Sequence, residues 1–298
     1  MPTGRSRGRI RRSKTTATAS SARSTWWPAT GPSLSRSGGR RRSTTSSLPR
    51  PAGRAEAVPG DFRGKVALIT GVGRPGQIGQ AIARGFGAAG AQLVIAGHDA
   101  TIVADRAKEL TAAGVTVRAV AGDLTTPEAA RRAVALAKQE FGGLDVVVNV
   151  AGGLLNYGPA LDVQPEQLER ELAVNLKTAF LVSQAAIPLL LERGGGGAIV
   201  NFASIAVLKP QRHMASYIAA KAAVAGLTRA LAREFSDRGV RVNAVAPGMM
   251  KTADNLAQVK DPKVRWVELD QLVNAVLFLA GDGAGAITGE ILPVAGDV

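Results

Sequence analysis

Apolar residues fall along this chain in seven short runs, and between the runs the spacing changes from continuous to helical. The runs are Val66–Thr70, Gln92–Ala96, Val115–Val120, Leu144–Val148, Ala198–Phe202, Arg241–Val245 and Glu290–Val294. Each is five or six residues long, and their nearly unbroken Val, Ile, Leu and Ala content predicts strands covered on both faces. After the first run, Ile78, Ile82 and Phe86 recur every four residues, as on one face of a helix. Further helices are predicted over Thr101–Ala113, Pro127–Phe141, Pro165–Leu191, Ser216–Arg233 and Leu269–Leu279. Pro127 falls in a first turn, where proline needs no partner for its nitrogen, and the glycines at 194–197 stop the long helix. Strands that alternate with helices build β-α-β units around a parallel sheet. The predicted fold is α/β: a doubly wound, seven-stranded parallel sheet with helices on both faces, in one domain.

Charge divides the chain. Of its 37 Lys and Arg, 13 lie within residues 1–60, beside a single acid, Glu56, so that segment carries +12 of the +14 total. The remainder is close to neutral. Residues 1–60 are rich in Arg, Ser, Thr, Gly and Pro and show no apolar period, so they are expected to be a disordered extension. An acid-poor, Arg- and Ser-rich leader suits a transit peptide, and a basic arm suits nucleic acid. An upstream start assignment is the reading favoured here, with the folded domain over 61–298. Arg11-Arg12 lacks the apolar stretch of an export signal. With no cysteine and only His98 and His213, disulfides and a Cys or His metal centre are not expected. No uncharged apolar run reaches the roughly 18 residues of a membrane span, and the expected setting is the cytoplasm.

Two constellations carry chemistry. The first run ends in Thr70-Gly71-Val72-Gly73-Arg74-Pro75-Gly76-Gln77-Ile78-Gly79, which opens a helix. Glycines there let backbone approach a pyrophosphate, and the helix N-terminus offers free N–H groups. Gly71, Gly73 and Gly76 match G-x-G-x-x-G, a pattern that also describes a tight loop without a ligand. The second constellation is Tyr217-x-x-x-Lys221, preceded by Ser204 at a strand end. Tyr217 and Lys221 lie one turn apart on a helix face. An ammonium beside a phenol is expected to pull its pKa from about 10 toward neutrality. Tyr217 can then exchange a proton with a carbonyl oxygen, which Ser204 also hydrogen-bonds. Taken alone, Y-x-x-x-K is ordinary helix surface, but this chain has only two tyrosines.

Together these residues resemble the short-chain dehydrogenase/reductase family, a Rossmann-type fold. The resemblance implies that Asn175, Ser204, Tyr217 and Lys221 are a catalytic tetrad, with Lys221 also holding the nicotinamide ribose and Asn175 seating a relay water. The family's usual loop is T-G-x-x-x-G-x-G. The loop here is two residues longer and puts Gln77 where the middle glycine would fall, while Gly71 and Gly79 remain. Further resemblances fall in order along residues 61–298. Asp123-Leu124 stands where the family contacts adenine. Asn149-Val150-Ala151-Gly152 is similar to N-N-A-G, and Pro247-Gly248-Met249-Met250-Lys251-Thr252 to the P-G-x-x-x-T segment at the nicotinamide amide. Val58-Pro59-Gly60-Asp61-Phe62 sits where members usually begin.

NAD users carry an acid at the end of the second strand. Here that place holds Gly97, followed by His98 and Asp99, and Arg74 suits a 2′-phosphate, so NADP is favoured over NAD. The expected substrate is a small or medium ketone, an acyl chain or the corresponding alcohol. Its expected walls are Leu154, Leu155, Tyr157, Ile205–Leu208 and Met214, under a short lid over Ala253–Asp270 with Leu256, Val259, Val264 and Trp266. Reduction of a 3-oxoacyl group fits. Enoyl reduction is disfavoured, because that branch spaces its Tyr and Lys more widely, although its glycine loop is also long. The family is usually tetrameric, and a homo-oligomer is expected, tetramer or dimer. The chain end Val294-Ala295-Gly296-Asp297-Val298 departs from the family's Gly-Gly ending and leaves the assembly open. The alternatives are a catalytically idle nucleotide-binding or scaffold protein, against which the intact tetrad argues, and a nucleic-acid binder working through the basic segment.

Overall fold

The computed structural model describes residues 60–194 and 196–296. The expected basic extension, apart from Gly60, and the last two residues lie outside them. The seven strands are β1 (Val66–Ile69), β2 (Gln92–Gly97), β3 (Val117–Ala121), β4 (Val146–Asn149), β5 (Gly197–Phe202), β6 (Val240–Pro247) and β7 (Ile291–Val294). They form one parallel sheet in the order β3-β2-β1-β4-β5-β6-β7. The order reverses between β1 and β4, which opens a crevice at the carboxyl ends of those two strands.

Alternation along β1 shows how the layers are built. Ala67 and Ile69 pack with Ile82 and Phe86 of α1 (Ile78–Ala88) and with α8 (Leu269–Ala280). Val66 and Leu68 point the other way, into α3 (Pro127–Phe141) and α5 (Thr178–Glu192). Period two along a strand sends neighbours to opposite faces, and both faces are dry, so the strand reads as unbroken apolar sequence. The remaining helices are α2 (Ala100–Ala112), α4 (Pro165–Leu172), α6 (Ala215–Phe235) and α7 (Ala253–Gln258).

Two elements depart from the sequence reading. The long helix predicted over Pro165–Leu191 is continuous but not uniform, because Ala173–Lys177 widens into a π turn between α4 and α5. Such turns insert a residue into the i→i−4 ladder and cluster at functional sites. This run is long and apolar enough to cross a membrane by composition, yet half of its most apolar stretch is buried in this fold. The expected lid over Ala253–Asp270 opens with α7, a helix the sequence reading did not place. Thr252 caps α7 by accepting a bond from Asn255 N at 3.2 Å, which starts a helix no apolar period announced.

Candidate active site

The glycine loop leaves β1 and turns at Gly71, whose φ of 69° favours glycine and whose missing Cβ leaves room for the backbone of Ala151. Gly79 sits against the Gly71 carbonyl and leaves no space for a side chain. Helix α1 then begins at Ile78. Gln77 makes no capping bond with its side chain, and the first turn holds no acid. Its first N–H groups therefore face the crevice without a local anion, which fits a pyrophosphate. The two-residue extension is held from both sides. Gly76 N donates to Gln80 Oε1 at 2.7 Å, and Gln80 donates in turn to Glu109 of α2. Gly76 O accepts from Ala253 N at 3.1 Å.

Arg74 takes part in the same contact between loop and lid. Its guanidinium pairs with Asp254 of α7 at 2.6 Å. Asp99 caps α2, accepting from Ile102 N at 3.0 Å, and exposed His98 stands next to it. Asp123 closes its own turn through bonds from Thr125 N and Thr125 Oγ1 at 2.9 and 2.8 Å. Those bonds hold its carboxyl below the usual range, with smaller help from His98 and Lys177. Leu124 is buried behind it. The Asn149 side chain turns into the core, donating to Ser183 Oγ at 3.1 Å and Asn201 Oδ1 at 2.9 Å. Gly248 packs against Ala295, and Met250 pairs as an isolated bridge with Val267.

Of the four residues expected to form a tetrad, Asn175 and Lys221 flank Gly152. Ser204 follows β5, Tyr217 and Lys221 come from α6, and Asn175 lies in the π turn. Asn175 is buried. It accepts from Gly153 N at 3.0 Å and donates to Gly153 O at 2.9 Å and Glu171 O at 3.0 Å. A Cβ on Gly152 would stand 2.5 Å from Asn175 Oδ1 and 3.3 Å from Lys221 Nζ, so the chain threads between two of the four residues. Lys221 is 4% exposed and donates to Phe202 O at 2.8 Å. Burial pushes its ammonium down to about 8, against an upward pull from Glu171.

The expectation that lysine draws the Tyr217 phenol toward neutrality is not met. Burial raises Tyr217 above 10, Glu171 adds to the rise, and only a hydrogen bond with Ser204 opposes it. The reason is geometric: Lys221 Nζ is 5.8 Å from the Tyr217 ring centre and bonded to Phe202 O, and the burial of Tyr217 itself is the largest influence on the phenol. Tyr217 is therefore a neutral phenol at pH 7, a proton donor.

One residue at the site escaped the sequence reading. Glu171 falls within the helix predicted over Pro165–Leu191, where no role attaches to it, and it is fully buried beneath Asn175. The signal was present in the spacing. Glu171, Asn175, Thr178 and Val182 recur at helical intervals, and all four are buried.

A family model described as enoyl-(acyl carrier protein) reductase matches residues 71–296. A 2,5-dichloro-2,5-cyclohexadiene-1,4-diol dehydrogenase from Sphingobium indicum is 38% identical over 242 residues, spanning 78% of this chain and 95% of that protein. A short-chain type dehydrogenase/reductase structure from Mycobacterium ulcerans superposes with a TM-score of 0.74 at 32% identity, covering 79% of this chain and 90% of the other. A 7α-hydroxysteroid dehydrogenase complexed with NADH and 7-oxo glycochenodeoxycholic acid gives the same TM-score at 30% identity, covering 80% and 96%.

Proposed function

The chain belongs to the short-chain dehydrogenase/reductase family, and from that premise we propose an NADPH-dependent reductase of a cyclic ketone, reversible with the secondary alcohol, in which Tyr217 supplies the proton. Membership makes it a nicotinamide-nucleotide oxidoreductase working between CH–OH and carbonyl groups. The observation that carries the finer reading is a half-buried Tyr217 in contact with Ser204, one helical turn from Lys221, at the sheet edge where α1 presents free N–H groups. A bound dihydronicotinamide supplies the hydride. Tyr217 then donates its proton to the new alkoxide, and Ser204 hydrogen-bonds the same oxygen as charge builds on it. Lys221 holds the nicotinamide ribose, and Asn175 seats the relay water.

The catalytic unit in this reading is residues 61–298. In this reading Gly71, Gln77, Ile78 and Gly79 would hold the pyrophosphate, and Asp123 and Leu124 would hold the adenine. Ala151 and Gly152, with the backbone of Asn149, would form the floor for the nucleotide, and Pro247, Gly248, Met250 and Thr252 would hold the nicotinamide amide. NADPH is favoured because β2 ends on Gly97 and the Asp99 carboxylate is turned to the α2 amides, which leaves the ribose 2′ side to His98 and Arg74. NADH is the second reading. It is supported by the Arg74–Asp254 pair, which occupies the guanidinium. A cyclic ketone fits the exposed apolar residues at the mouth, Leu154, Leu155, Leu208 and Leu256, and the ring substrates named for two of the similar proteins. A 3-oxoacyl substrate fits less well, since neither of those names carries an acyl chain. The apolar groove between α5 and α6, lined by Phe180, Ile187, Leu191, Leu231 and Phe235, supports a homo-oligomer.

The test is titration with NADPH and NADH by nucleotide fluorescence, then NADPH consumption across a panel of cyclic ketones and acyl thioesters. Tyr217→Phe is expected to lower kcat at least about 100-fold while leaving nucleotide affinity within a factor of three. Comparable turnover by Tyr217→Phe would end the proposal.

A further inference from the structure

Glu171 is the one fully buried carboxylate among the described residues. Four N–H donors converge on it. Leu155 N at 3.2 Å and Asn175 Nδ2 at 3.3 Å meet Oε1, and Asn156 N at 3.1 Å and Asn156 Nδ2 at 2.9 Å meet Oε2. Both oxygens accept N–H bonds, so the carboxyl is held from the loop on one side and from its own helix on the other. Burying a charge is costly without a compensating partner. Asn175, which Glu171 holds, stands across Gly152 from Lys221, since a Cβ on Gly152 would lie 2.5 Å from Asn175 Oδ1 and 3.3 Å from Lys221 Nζ, and the charge of Glu171 reaches both Lys221 and Tyr217 of α6. On its own helix Glu169 and Arg170 are exposed, and Lys177 in the π turn is exposed, with its charge acting on Asp123. In the facing loop, Tyr157 is 71% exposed.

Resting on the reductase reading above, we propose that Glu171 is the positioning residue of this site. It ties the Leu155–Asn156 backbone of the substrate wall to Asn175, and it supplies the counter-charge that keeps Lys221 an ammonium. Glu171 is the only buried residue of α4. Its charge lies near Lys221, the one buried lysine among the described residues, in a region where water does not screen it.

The test reads Lys221 directly. Full-length protein is labelled with [13Cε]lysine, and the Lys221 resonance is assigned with Lys221→Arg and followed through pH. Glu171→Gln is expected to lower the Lys221 midpoint by about one unit. Glu171→Leu repeats the measurement if the amide variant fails to fold. Glu171→Asp, whose carboxylate is one methylene further away, is expected to show a smaller fall in the same direction. The alkaline limb of NADPH-dependent ketone reduction should move with the resonance. A merely structural role would lower kcat at every pH and leave both midpoints in place. An unmoved or raised Lys221 midpoint in any folded variant overturns the proposal. The resonance needs neither nucleotide nor substrate, so wild-type inactivity toward ketones would count against the reductase reading and not against this one.

Discussion

Gly152 offers the sharpest check on how the site is assembled. Its φ is 140°, outside the regions open to residues with a side chain, and a Cβ there would meet Asn175 Oδ1 at 2.5 Å and Lys221 Nζ at 3.3 Å. Holding alanine at such a φ costs about 1–3 kcal/mol. Displacing two buried, hydrogen-bonded side chains adds about 1–2 kcal/mol. The reduced freedom of the unfolded chain gives back roughly 0.5–1 kcal/mol. Gly152→Ala should therefore lose about 3 kcal/mol, which for a domain of this size lowers Tm by roughly 6–12 °C. The neighbour is the control. Gly153 has no positive φ and nothing within 4 Å of an added Cβ, so Gly153→Ala should stay within about 0.5 kcal/mol. Scanning calorimetry on the pair decides the matter. Equal melting temperatures would show that the chain does not thread between Asn175 and Lys221 as described.

Other outcomes follow from the same packing. Thr228 is fully buried, accepting from Asn201 Nδ2 at 3.0 Å and donating to Val224 O at 2.8 Å. Thr228→Val strands the Asn201 donor and should cost about 1–3 kcal/mol in urea unfolding; a neutral result would mean the network is not closed. Lys221 titrates near 8 when folded and at 10.5 when unfolded, so between these values the unfolded chain holds the extra proton and stability rises with pH. Relative to Lys221→Met, the wild type should gain about 3 kcal/mol from pH 7 to pH 10.5, and a flat difference would refute a buried ammonium. The Arg74–Asp254 pair is largely exposed and worth under about 1 kcal/mol, so Asp254→Asn should leave Tm unchanged. If Arg74 serves a 2′-phosphate, the same change should tighten NADPH binding and not NADH binding.

The architecture could be read from the chain because strands buried on both faces and helices buried on one leave different periods in sequence. Val66–Ile69 and Pro127–Phe141 are both found where those periods place them. The spacing of Tyr217 and Lys221 along one helix fixes their relation before any folding, whereas Ser204 comes from the end of β5. What the chain could not disclose were relations between segments far apart in sequence. The π turn that carries Asn175 leaves no period of its own. Arg74 meets Asp254 across 180 positions, so its partner depends on where the lid helix lands. Glu171 carried the signature of a buried stripe, yet its donors come from a loop 15 and 16 residues away. Local periodicity sets which face of an element is dry, and the sequence determines that by itself. Which charges then stand together in the dry space, and whether a phenol there is held neutral, depends on desolvation, and desolvation exists only once the layers have closed.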